Sequence, residues 1–350
     1  MKIRYPAEDG ELLQCLNEAY GLDAVSLAFI PIGDAAYSYR IVCRSGVRYY
    51  LKLFDMDNDG QRKNAQALDH YLPLTWELYH QAMFQHLTVP IKNNGESFQT
   101  IFRNEAAVLV LFSFVEGETL ADAYPLSKPV VGAIAETLAE IHCEVTPRLR
   151  LERVACRTET YDISFAAELT NSLSALESGS FTDVYLKALR SLLLPRMSEI
   201  GSMIGLLREL QLSAQAVCRQ PVLCHGDVWG GNLIVQEGRL MLLDWESCRL
   251  APPERDVFGY LNDEFDTFYQ RYTERAGTKL RFHTDLLRFY AYRHHLSNLS
   301  NWLLNMLYRH TAEAQRANDL EMIDFHCIRR WSGIEAGIRS AERVMSKERT

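Results

Sequence analysis

The sequence predicts an α+β protein in two parts, a small antiparallel sheet region over residues 1–115 and a larger helical region over residues 116–350. Three observations predict it. From residue 25 to residue 54, apolar side chains recur with period two, and Gly33-Asp34 and Ser45-Gly46 supply turn signals between the runs. Past Glu116-Gly117 the apolar spacing changes to the 3.6-residue period of helices. A single short β-rich passage, Pro221 to Asp244, interrupts the helical part. A chain of 350 residues is also too long for one simple core and suits two.

The elements follow in order. Leu12, Leu13, Leu16 and Tyr20 share a helix face over residues 11–20, and Gly21 ends that helix. Strands are expected over residues 25–31 and 36–54, where Tyr49, Leu51 and Leu53 alternate with Tyr50, Lys52 and Phe54. A helix over Pro73 to Gln85 stops at Thr88-Val89-Pro90, and Asn93-Asn94-Gly95-Glu96 is a hairpin turn. Ala106 to Val115 reads as a buried strand, which Gly117 breaks. Helical spacing then covers Val130 to His142, Tyr161 to Leu176, Phe181 to Gly205, Leu207 to Val217 and the block from Glu254 to Val344.

Composition removes several classes. A net charge of −8 argues against a nucleic-acid partner and is compatible with a cationic one. The eight cysteines contain no C-x-x-C pair, so free thiols in a reducing cytosol are expected and not a zinc site or disulfide framework. Met1 to Gly10 lacks an apolar signal core, and the longest apolar run, near Ala106 to Val115, is about half a bilayer span. A cytoplasmic chain with no membrane partner is expected. His283, His294, His295 and His310 fit no zinc spacing and read as helix residues, as do Phe282, Phe289, Tyr290, Tyr292, Trp302 and Tyr308.

The chemistry concentrates in one passage. His225-Gly226-Asp227 is followed at the right spacing by Asn232, then by an apolar run, the turn Gln236-Glu237-Gly238, a second apolar run and Asp244. Phosphoryl transfer from ATP needs a group that orients the attacking hydroxyl and takes its proton, and a loop carboxylate such as Asp227 suits that task. Magnesium prefers oxygen ligands, which Asn232 and Asp244 offer as an amide and a carboxylate. The two apolar runs read as a hairpin, which would bring Asn232 and Asp244 together. The chain has no G-x-x-x-x-G-K-[ST], so a P-loop enzyme is disfavoured.

This passage resembles the aminoglycoside phosphotransferase family, whose fold is protein-kinase-like, and is nearest in character to its spectinomycin branch. The resemblance spans roughly residues 30–260 and includes Leu250-Ala251-Pro252-Pro253-Glu254-Arg255-Asp256-Val257. It implies ATP, with GTP as an alternative, and Mg2+ as cofactors. It implies that His225 and Asp256 support the catalytic loop and that Lys52 contacts phosphates. Glu77 on the following helix is the implied partner of Lys52, with Asp69 the competitor. Ser38 in the first hairpin is the implied phosphate cap, and backbone groups of Ser113 and Val115 at the hinge would meet the purine. Asp263, Glu264 and Asp266 are the candidate contacts to a cationic or polyhydroxylated small-molecule acceptor, and a solvated helix start is the competing account of them.

Trp229-Gly230-Gly231 is also similar to fructosamine kinases, so the acceptor is expected to be an aminoglycoside, an aminocyclitol or a similar hydroxylated amine, with a fructosamine-, choline- or homoserine-like metabolite as the alternative. Intact Lys52, Asp227, Asn232 and Asp244 argue against a nucleotide-binding pseudoenzyme, and the immediate run from Asp244 to Pro252-Pro253-Glu254 argues against a protein kinase.

Overall fold

The computed structural model describes the chain except residues 1–2, 32, 34, 151–154, 263, 279–280, 310–311 and 348–350. It divides into two compact units. One comprises Met1–Ser127, Glu144–Arg157 and His225–Arg249, and the other Lys128–Cys143, Thr158–Cys224 and Leu250–Thr350. The hairpin passage therefore groups with the N-terminal sheet, whereas a single cut after residue 115 assigns it to the helical part.

In the first unit, α1 (Asp9–Tyr20) ends at Gly21, whose φ of 63° is the left-handed conformation that favours glycine. The strands β1 (Ala24–Ile30), β2 (Tyr37–Cys43) and β3 (Arg48–Asp55) follow as an antiparallel meander. Next come α2 (Asp59–Gln66) and α3 (Leu72–His80), then β4 (Pro90–Ile91), β5 (Thr100–Phe102) and β6 (Ala107–Ser113). Among the described residues these strands form one sheet in the order β1-β2-β3-β6-β4, with β5 also paired to β6. Helix α2 was not legible from apolar spacing, because it is almost wholly polar. Its signal is the cap instead, since Asn58 Oδ1 accepts from the Gly60 and Gln61 amides. Helix α3 stops at His80, short of the expected Gln85.

Strand alternation decides what each face of the sheet carries. Leu12, Leu16 and Tyr20 of α1 share a core with Tyr39, Ile41, Leu51, Leu53, Leu109 and Leu111. Residues one step out of phase point the other way. The register sets Ser38 opposite Lys52, and Lys52 opposite Val110, on that second face.

The second unit contains α4 (Lys128–Glu140), α5 (Phe165–Ser178), α6 (Val184–Leu193) and α7 (Met197–Ala216). Here the expected boundary is corrected. The helix break falls at Leu194–Arg196 and not near Gly205, because Pro195 lacks an amide proton while Gly205 is tolerated inside α7. After β7 (Val222–Cys224), which pairs with the end of β10 (Arg249–Ala251), come α8 (Glu254–Val257), α9 (Phe265–Ala276) and α10 (Thr284–Leu304). The last helices are α11 (Glu313–Met322), α12 (Arg329–Trp331) and α13 (Ile334–Lys347). Helix α10 is the centre of this unit, and packs against α5, α7 and α13. No helix among the described residues is long and apolar enough to cross a membrane.

Candidate active site

The two apolar runs after Asn232 form the expected hairpin, β8 (Leu233–Gln236) and β9 (Arg239–Leu242). Its two-residue turn uses Glu237 and Gly238, both at positive φ, as such hairpins demand. The register closes beyond the strands, where the Leu243 amide donates to the Asn232 carbonyl at 2.8 Å. Asn232 and Asp244 are thereby held at one end of the hairpin.

The loop before it is fixed by three side chains. His225 Nε2 lies 2.8 Å from the Leu243 carbonyl, so that nitrogen donates. Its Nδ1 accepts from the Asp227 amide at 3.3 Å, which sets the tautomer. The buried Trp245 ring packs edge-on against this imidazole at 4.9 Å between centroids. Asn232 Nδ2 donates to both the Asp227 carbonyl, at 2.9 Å, and Asp227 Oδ2, at 2.8 Å. The Asn232 amide thus donates to the backbone and to the carboxylate of Asp227, and Oδ1 is the atom Asn232 has to offer a cation.

Asp244 sits at φ 55°, ψ 74°, uncommon for a non-glycine residue, and this turns the chain sharply after β9. Its Oδ1 lies 2.9 Å from Lys52 Nζ, and Glu246 Oε1 lies 2.5 Å from the same nitrogen. Lys52 is 5% exposed, and a buried ammonium requires such partners. Burial alone would push Lys52 down, but Asp244 and then Glu246 outweigh it and hold the ammonium well above its ordinary value. Burial and the Asp244 carboxylate push Glu246 up, against the pull of Lys52. The pair therefore stabilises the ammonium more than the carboxylate. Burial, and after it the Glu246 and Asp244 carboxylates, push the Tyr71 phenol well up, against the pull of Lys52.

Two carboxylates, Asp244 and Glu246, meet the one ammonium, so the formal sum of this group, −2 + 1, is −1. Glu246 is engaged by Lys52, and the donors left, Asn232 Oδ1 and the Asp244 carboxylate, are hard oxygens. These residues fit a divalent cation such as magnesium.

The partner of Lys52 is a correction to the sequence reading. Glu77 does not pair with Lys52; Glu246 does, together with Asp244. The reason is helical phase. Tyr71, Leu74, Thr75 and Leu78 form the buried stripe of α3 and the turn before it, and Glu77 lies off that stripe, half-buried. Asp69 is no alternative, since its Oδ1 accepts from Gln99 Nε2. A signal was available in the chain, because Glu246 stands two residues after Asp244.

The remaining expected residues are placed as follows. Ser38 is buried, with its hydroxyl 2.6 Å from that of Tyr50. Ser113 donates its amide to the Val89 carbonyl at 2.8 Å and accepts the Val89 amide on Oγ at 2.9 Å. Its N–H is therefore committed to Val89 and does not point to a purine, which corrects the expectation for that group. Val115 and Ser113 line a cavity of about 450 Å³ with Trp76, Tyr79, Leu87 and Met241. None of Lys52, Asp227, Asn232 and Asp244 lines it.

In the helical unit, Asp256 Oδ2 lies 3.1 Å from His142 Nε2, and His142 Nδ1 lies 2.8 Å from the Tyr272 hydroxyl. With Cys224 these are the described residues whose His, Cys and carboxylate atoms gather closely enough to hold a metal, but both ring nitrogens already have partners. Glu159, which sequence reasoning missed, binds Arg255 at 3.1 Å and Arg293 at 3.0 Å. Glu264 lies 3.6 Å from Lys128 Nζ, and the exposed Asp266 accepts the Thr267 amide at 2.7 Å. Asp263 and His310 lie outside the described residues.

A family model described as "Phosphotransferase enzyme family" matches residues 90–290, more than half of the chain. The chain belongs to the phosphotransferase enzyme family. Protein StrN of Streptomyces griseus is similar to it, 26% identical over 294 residues that cover 82% of each chain. Among solved structures, spectinomycin phosphotransferase APH(9)-Ia in complex with ADP and spectinomycin superposes with a TM-score of 0.73 at 18% identity, covering 97% of this chain and 99% of that one. Amicoumacin kinase hAmiN with AMP-PNP, Ca2+ and Ami gives 0.59 at 13% identity, over 91% and 93% of the two chains. The protein-kinase-like α+β fold expected from the motifs is the fold these phosphotransferases share with the chain.

Proposed function

We propose that this phosphotransferase moves the γ-phosphoryl group of ATP to a hydroxyl of a small hydroxylated amine of the aminocyclitol or aminoglycoside class. The observation that carries the reading is the joint placement of Asp227, aimed by Asn232, and Lys52, held between Asp244 and Glu246. Asp227 orients the acceptor hydroxyl and takes its proton as the acceptor oxygen bonds to the γ-phosphorus. The bond from that phosphorus to the β–γ bridging oxygen breaks, and ADP leaves. Lys52 meets the phosphate oxygens, with Asp244 and Glu246 keeping the ammonium in place. Magnesium, which Asn232 Oδ1 and Asp244 would hold, supplies charge neutralisation of the polyphosphate. Support comes from the similar structures, one holding ADP with spectinomycin and one holding AMP-PNP with Ca2+.

The test incubates the purified chain with ATP and Mg2+ against a panel of aminocyclitols, aminoglycosides, fructosamines and choline. ADP release and the mass of the product are measured. A phosphorylated aminocyclitol is the expected product. Turnover of only a fructosamine or choline would reject the acceptor class, and no acceptor-dependent ADP from any compound would reject the transferase reading.

A further inference from the structure

The loop between Asp227 and Asn232 carries an exposed aromatic side chain that none of the roles above uses. The Trp229 side chain is 41% exposed, although its neighbours Gly230 and Asn232 are buried. Its backbone is anchored, since its carbonyl accepts the Asn232 amide at 2.8 Å. A second exposed ring stands beside this loop: the Tyr124 hydroxyl accepts the Gly230 amide at 2.9 Å, and Tyr124 is 46% exposed.

The two glycines of the loop are there for space and not for dihedral freedom, since neither has a positive φ. A Cβ on Gly231 would overlap the Trp229 indole, with Cε2 at 2.7 Å. A Cβ on Gly230 would meet the Leu120 carbonyl carbon at 2.7 Å and Tyr124 Cε2 at 2.9 Å. Both rings thus lie directly against the loop backbone and are open to solvent. Only Val228 stands between Asp227 and Trp229, so their Cα atoms, two steps apart, are within about 7.6 Å.

We propose that Trp229, seconded by Tyr124, is the specificity platform for the acceptor, stacking the apolar C–H face of a hydroxylated saturated ring and attracting an ammonium group borne by that ring. This rests on the transferase reading above, and it names the chemistry of the acceptor's contact. Aromatic faces attract cations, most strongly at Trp, and the attraction grows as the site is desolvated. A flat ring held rigidly also loses little conformational entropy when it is covered.

The test uses the full chain and its Trp229→Ala, Trp229→Phe and Gly231→Ala variants. Spectinomycin and related aminocyclitols are titrated calorimetrically without nucleotide, and steady-state kinetics are run with ATP and Mg2+. Trp229→Ala should raise the acceptor Kd and KM about 5- to 30-fold, the effect falling on KM more than on kcat, and Trp229→Phe should recover to within about 3-fold. Gly231→Ala, which keeps the indole but displaces it, should weaken acceptor binding in the same direction. Wild-type affinity in Trp229→Ala, or a wild-type chain that binds no member of the panel, overturns the platform. Acceptor that binds in a Trp229-dependent way but is never phosphorylated leaves the platform standing and removes the transferase reading instead.

Discussion

Replacing Glu246 by Gln separates the two accounts of how Lys52 is held. At 2.5 Å and an effective dielectric constant near 20, the attraction between the two charges is about 7 kcal/mol. Glu246 also repels Asp244, by about 3 kcal/mol if two carboxylates that grip one ammonium lie roughly 5 Å apart. The remainder is comparable to the several kcal/mol needed to desolvate a carboxylate at a buried site. The direction of the Glu246 shift agrees: burial and Asp244 raise it above its ordinary value despite Lys52. A carboxyl group raised on folding stabilises the fold at pH values below its unfolded value, and that contribution is lost as pH rises through the folded value. At neutral pH the ionised group therefore gives no net stability, and Glu246→Gln should melt at or above the wild-type temperature. Activity should behave oppositely. Lys52 would then depend on Asp244 alone, the carboxylate also proposed to hold magnesium, and kcat/KM for ATP should fall about 10- to 100-fold, or about 1.4 to 2.7 kcal/mol of transition-state stabilisation. Glu77→Gln should stay within about 2-fold. The assay is ADP release at varied ATP, with thermal melting in parallel. A wild-type Glu246→Gln beside a strongly impaired Glu77→Gln would refute the reasoning and return the lysine's partner to α3.

Other outcomes follow from the same structure. Asp227→Ala should lower kcat by about 10²- to 10⁴-fold while ATP still binds, checked by single-turnover transfer and by nucleotide titration; unchanged transfer would remove Asp227 as the base. Glu159→Gln should cost about 3 kcal/mol of stability in urea unfolding, because it leaves the nearly buried Arg255 and Arg293 without their shared carboxylate. Burial, together with neighbouring His295, His326, Arg330 and Arg255, lowers His294 to about 3, and burial lowers His295 to about 4 despite its bond to the His326 carbonyl. The unfolded chain binds these protons first, so stability falls as pH drops from about 6.5 toward 4, by about 2 kcal/mol for each ring at pH 5. Urea midpoints that stay flat over that range in the wild type, or that fall equally in His294→Gln, would contradict this.

The geometry of the proposed catalytic loop was legible in the sequence because its logic is local. Asp227 and Asn232 are five residues apart on one loop, and the hairpin that brings Asp244 to Asn232 is announced by two apolar runs around Glu237-Gly238. That Lys52 lies on the face opposite Leu51 and Leu53 was legible from period two, but that this face is buried at Lys52 was expected only from the family resemblance. Helix α2 and the break at Pro195 were readable from Asn58 and from the proline, but apolar spacing hides both.

Partners far apart along the chain were a different matter. Lys52 and Glu246 are 194 residues apart, and nothing near either residue names the other. Sequence proximity to a helix pointed to Glu77, but the packing of α3 sets Tyr71, Leu74 and Leu78 inward and leaves Glu77 off that stripe. The commitment of the Ser113 amide to Val89 and the burial of Glu159 between two arginines are likewise products of packing. The sequence alone determined the fold class, the loop and hairpin that hold Asp227, Asn232 and Asp244, and the strand positions that share a face with Lys52, because backbone period and turn chemistry act over a few residues. Only the tertiary structure decided which carboxylate neutralises that lysine and which aromatic ring is left exposed beside the proposed base, because both depend on how distant segments exclude water from one another.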